Sequence, residues 1–179
     1  MMSILDEDNP TRTSVSGHFR VWKDVYDSLE DEARVRQVSL NTLVNQLLSR
    51  YTRDESMYER LGVVTLPKET YRLMLQLIPD DKLDEFALES IKGWPMNLML
   101  ARNGIINTDA VLNQLRDFSK LGFLSFYETS RNGTKVISLN HEFGPKFTRV
   151  LAAGVTGLFK LVNIHPSVTA TDSSVTIEY

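Results

Sequence analysis

The chain has 179 residues, 42% of them hydrophobic and 24% charged, with a formal net charge of -3 and no cysteine. That length suits one ordinary domain or two small ones. The missing thiols exclude disulfides, thiolate metal sites and thiol catalysis, and no apolar run approaches the roughly 20 residues that span a bilayer.

The negative balance counts against nucleic-acid binding as a bulk property, so such a role has to rest on local structure. Residues 1–13 read as a disordered, polar start. Asp6, Glu7 and Asp8 give it the wrong charge for a secretory signal, and a cytoplasmic location is the expectation. Next, Val15, Gly17, Phe19 and Val21 alternate with Ser16, His18 and Arg20. Period two marks a strand with one buried face. Arg12, Arg20 and Lys23 are the charged residues between Thr11 and Lys23, while Asp24, Asp27, Glu30, Asp31 and Glu32 follow directly and would have to face away from phosphates.

At Trp22 the period changes. Val25, Tyr26, Leu29 and Ala33 lie at helical steps of three and four, ending near Gln37. Ser39 reads as the N-cap of a second helix, whose stripe is Leu40, Leu43, Val44, Leu47, Leu48 and Tyr51. The polar residues Thr52, Arg53, Asp54, Glu55 and Ser56 read equally as a linker or as continued helix. A mostly helical stretch over residues 67–121 follows, with helix starts expected at Pro67, at about Asp81, at Trp94 with Pro95 and at the capping residue Thr108, and stops at Gly104 and Gly122. Residues 123–179 read as a ββαββ unit. Two strands, residues 123–127 and 134–139, join across Asn132 and Gly133, a hairpin signal because both accept positive φ. A helix over 145–162 and two strands around Val168 and over 175–179 complete it. The fold class is therefore α+β, in domains 14–53 and 54–179.

One strand and a helix pair of about 30 residues bury too little surface to fold alone. Two copies solve this by pairing strands antiparallel across a two-fold axis and merging their helix stripes. Val15, Phe19, Val21, Leu29, Leu43 and Leu47 would then form the dimer core. Ser16, His18 and Arg20 would point outward from a two-stranded ribbon narrow enough for the major groove, Arg20 towards guanine O6 and N7. Ser39, Leu40 and Asn41, at the start of the second helix, would offer amides and a dipole to a phosphate.

This order of elements resembles the ribbon-helix-helix family of the Arc, MetJ and CopG type. The likeness rests on residues 16–21, 25–30 and 37–42 and covers roughly residues 14–53. It implies a homodimeric transcriptional regulator in which Ser16, His18 and Arg20 contact bases. Two departures stand out: Gln37 where that family most often has Gly, and Gly17 at a core strand position. The alternatives are the antitoxin of a toxin-antitoxin pair and a dimerised protein-binding module that does not touch DNA. The bland reading of Ser16, His18 and Arg20 is the wet face of an edge strand.

No catalytic residues, metal site or cofactor are expected. Glycine-rich phosphate loops, His-Glu-x-x-His and nucleophile elbows are all missing. Nickel-responsive repressors share the ribbon-helix-helix start, but His18, His141 and His165 without cysteine supply their ligands poorly. Asn140, His141 and Glu142 read as a turn and helix entry, His165 as a loop residue, and Asp80 with Asp81 as a helix cap. The expected partners are double-stranded DNA and a second copy of the chain, with higher oligomers open and no membrane. Residues 54–179 would oligomerise or sense a small-molecule or protein effector whose nature the sequence leaves open.

Overall fold

The computed structural model describes residues 13–179, so the expected disordered start falls almost wholly outside the described residues. The chain divides into two compact units, with the boundary between Ser56 and Met57. Its class is mixed α+β, with a four-stranded antiparallel sheet. Among the described residues no helix is long and apolar enough to cross a membrane.

In the first unit, residues 13–22 form no strand, which corrects the expectation for residues 15–21. The physical reason is simple: a strand exists by pairing, and among the described residues of this unit there is no second strand. The ring of Phe19 lies instead against Gly17, where a Cβ would stand 3.3 Å from it. α1 (Lys23–Val35) buries Ala33 and pairs its surface charges within the helix: Lys23 with Asp27 at 2.6 Å, Arg34 with Asp31 at 2.8 Å, and Arg36 with Glu32 at 2.5 Å. It ends in a Schellman motif. The Gln37 amide donates to Arg34 O at 3.2 Å and the Val38 amide to Ala33 O at 3.0 Å, with Gln37 itself at φ 56°. Gln37 thus does the task that glycine does more cheaply.

α2 (Leu40–Arg50) starts where expected, the Ser39 hydroxyl accepting from the Thr42 amide at 3.0 Å. Leu43 is its fully buried residue. The polar run that reads as linker or helix is helical: a π-helical turn covers Tyr51–Glu55, and α3 (Ser56–Arg60) follows.

The second unit has its own core. α4 (Lys68–Gln76), a 3-10 turn (Asp80–Lys82), α5 (Leu83–Lys92), α6 (Trp94–Asn103) and α7 (Thr108–Lys120) precede β1 (Ser125–Arg131) and β2 (Thr134–Asn140). α8 (Pro145–Lys160), β3 (Ser167–Ala170) and β4 (Ser174–Glu178) complete the ββαββ order. The sheet order is β1-β2-β4-β3, antiparallel throughout. Ile137, Leu139, Val175 and Ile177 alternate onto its inner face, wholly buried in a cluster with Leu115 of α7 and Leu158 and Phe159 of α8. α5 lies close along α8: a Cβ on Gly157 would come within 2.6 Å of Ile91 Cδ1, and Arg149 clamps Asp84 through two bonds of 2.9 and 3.0 Å.

Three local expectations need correction. α7 is capped by Asn107, whose side chain accepts from the Ala110 amide, rather than by Thr108. Asp80 and Asp81 cap nothing with their side chains, and Asp80 pairs with Lys146 at 3.1 Å. β1 runs on to Arg131, four residues past its expected end, pairing with β2 in register from Ser125↔Asn140 to Arg131↔Thr134.

Candidate nucleic-acid interface

The ten residues 13–22 have no secondary structure and are exposed throughout. Ser16, His18 and Arg20 lie here with solvent-facing side chains. So do Val15, 92% exposed, and Phe19, 79% exposed, both expected in a shared core, and Trp22, 81% exposed, which is not among those core residues. Three such side chains within eight residues are an uncovered apolar surface rather than scattered surface hydrophobics. Fully burying each is worth about 1.5–3 kcal/mol. Val21 is exposed as well, Leu29 and Leu47 are half-buried, and of the six expected core residues Leu43 alone is buried within the single chain.

The turn into α2 brings Ser39, Leu40 and Asn41 together. The Ser39 oxygen takes the Thr42 amide, and its hydroxyl lies 2.8 Å from the Thr42 hydroxyl. The Leu43 amide goes to Ser39 O. The amides of Leu40 and Asn41 belong to the first turn, where a helix offers no internal acceptor, and α2 has no acid in that turn. This end of the helix suits an anion. The carboxylates of α1 are partly neutralised by the three pairs along that helix.

The second unit has other polar clusters that local sequence does not announce. His141 is buried: its Nδ1 accepts the Phe143 amide at 3.3 Å, and Nε2 lies 2.9 Å from the Thr148 hydroxyl, which in turn donates to Asp172 O. That pattern demands the neutral ring with its proton on Nε2. Burial pushes the His141 pKa below its ordinary value. The turn reading of Asn140, His141 and Glu142 stands, with His141 clasping β2, α8 and the β3–β4 turn together. His165 is an exposed loop residue, as expected. Buried Asp117 pairs with Arg102 and, at 3.2 Å, with Lys120. Trp94 stacks at a tilt between Tyr58 and Phe118. These partners lie up to dozens of residues apart, so no spacing in the sequence reveals them. Among the described residues there is no group of three or more His, Asp or Glu placed to share a metal ion.

No family model, curated protein or solved structure matches the chain.

Proposed function

We propose that the chain is a homodimeric, sequence-specific DNA-binding transcriptional regulator in which residues 14–53 act as a ribbon-helix-helix module. The observation that carries this reading is the exposed apolar segment around Val15, Phe19, Val21 and Trp22, set directly ahead of two amphipathic helices that bury almost nothing of their own. A second copy offers what the segment lacks: an antiparallel strand partner and a matching apolar face. With Val15, Phe19 and Val21 turned inward, alternation turns Ser16, His18 and Arg20 outward. The ribbon reads base edges in the major groove, Arg20 on guanine, and the α2 ends at Ser39, Leu40 and Asn41 hold phosphates and fix register.

The antitoxin reading fits less well, because residues 57–179 carry a closed core where a toxin-binding tail would be short and unfolded. The protein-binding reading has the acidic surface of α1 in its favour and predicts no duplex binding.

Selection from a randomised duplex pool at about 150 mM salt tests the proposal, with wild type and Arg20→Ala side by side. The expected result is a two-fold symmetric motif that Arg20→Ala weakens by one to two orders of magnitude or relaxes at one base pair of each half-site. No enrichment by wild type overturns the proposal in favour of a dimerisation module.

A further inference from the structure

We propose that the second unit holds a DNA contact of its own, a winged helix-turn-helix made of α6, α7 and the β1–β2 hairpin, with Arg131 and Lys135 as its phosphate contacts. The proposal extends the DNA-binding reading above, yet it stands or falls on different residues.

The turn comes first. Gly104 closes α6 in the left-handed conformation at φ 69°, and Asn107 caps α7 through its side chain, leaving a four-residue connection. A short, glycine-containing turn between two packed helices is the local signature of a helix-turn-helix. α7 then divides cleanly. Ala110, Val111, Leu112, Gln114, Leu115 and Asp117 are buried, while Asp109, Asn113 and Lys120 are exposed. Its outward stripe faces solvent, with Asn113 between Asp109 and Lys120, the latter holding Asp117 at 3.2 Å.

The hairpin follows after Gly122, and α7 is fastened to it. Arg116 donates to Glu128 at 2.6 Å and lies over the Phe126 ring at 5.3 Å. Glu128 also faces Lys135 at 3.8 Å. Glu128 is the sole carboxylate in residues 125–140, and Arg116 already answers it at 2.6 Å, so the looser approach of Lys135 leaves that exposed ammonium able to turn to a phosphate. At the tip, Asn132 at φ 52° and Gly133 at φ 83° make the two-residue turn that keeps the strands twisted and close. Residues 130–135 are exposed and carry Arg131 and Lys135 with no acid. Arg131 has no acidic partner among the described residues. A narrow, cationic two-stranded ribbon beside an exposed helix face suits the phosphate backbone of a duplex. In a chain of net charge -3, the turn itself carries cations and no acid, with Glu178 of β4 opposite Val136 at its base.

The test uses four full-length proteins: wild type, Arg20→Ala, the double variant Arg131→Ala with Lys135→Ala, and all three changes together. The probe is a mixed-sequence duplex of about 40 base pairs, titrated from about 50 to 200 mM salt. The wing predicts that the double variant reduces the slope of log K against log salt by about 2 per protomer, weakening binding evenly across sequences. Unfolding temperature should not change, since both side chains are exposed. Replacing both by Glu should abolish the wing's contribution outright. An unchanged slope and affinity in the double variant overturns the wing whatever Arg20→Ala does, and a loss of affinity in Arg20→Ala beside it keeps the ribbon. Loss through the double variant alone supports the wing and removes the ribbon. A wild type that binds no duplex overturns both.

Discussion

The two units of this chain solve the problem of apolar surface in opposite ways. Residues 57–179 close a core within one copy: sheet residues Ile137, Leu139, Val175 and Ile177 are sealed by α7 and α8. In the described part of the first unit the buried apolar side chains are Ala33 and Leu43, while Phe19 and Trp22 stand in solvent. A unit of under about 60 residues is marginal on packing alone. The contrast teaches that the second unit closes its core within one copy, while the first leaves its apolar side chains uncovered.

The sharpest way to break that comparison is Phe19→Ala. In the proposed dimer the Phe19 ring is buried, its loss costs on the order of 3 kcal/mol, and each dimer loses two. Sedimentation should show the dimer weakened by roughly ten-thousand-fold. A monomeric wild type, or no change in the variant, would put the first unit's apolar face to another use. The counterpart in the second unit is Phe159→Ala, expected to cost about 3–5 kcal/mol of that unit's stability. Denaturant unfolding followed by sedimentation should show a destabilised second unit and an unchanged oligomer.

The third effect is a pH dependence confined to the second unit. The folded-state pKa of His141 is depressed by burial below its usual 6.5. Its stabilisation is therefore fully present above about pH 6.5, falls as the pH drops below that value, and is gone once the folded pKa is passed. Thermal unfolding of wild type between pH 7.5 and about 5 should lose stability that a His141→Gln variant does not lose. Equal slopes in the two proteins would remove His141 as the cause. The smallest effect belongs to the turn in the first unit. Gln37 sits at φ 56°, so Gln37→Gly should stabilise by about 1 kcal/mol, read as a higher midpoint of the concentration-dependent transition.

What the sequence made legible follows the same division. α8 was readable because its apolar residues recur every three or four positions, and the hairpin because Asn132 and Gly133 accept positive φ. Ser39 was readable as a cap because capping is decided within three residues. The far half of β1 was not: Thr129, Ser130 and Arg131 form the free edge of the sheet, polar on both faces, and only pairing with β2 makes them a strand. Thr108 and Asn107 both have side chains that cap helices, so residue type alone does not decide between neighbours, and the bond to the Ala110 amide selects Asn107. The period of two over residues 15–21 is a true pattern that no strand in the single chain answers. The hairpin cations Arg131 and Lys135 are not legible as a site in the sequence, because two charges in six residues mean little until a turn brings their strands together.

The most direct measurement is native-state amide hydrogen exchange of the full-length chain across residues 14–22, at protein concentrations spanning the dimer transition. A strand shared between two copies predicts protection at alternate amides that strengthens as the concentration rises. Free exchange at every one of these amides, in a chain that sediments as a monomer at every concentration, would contradict the shared ribbon.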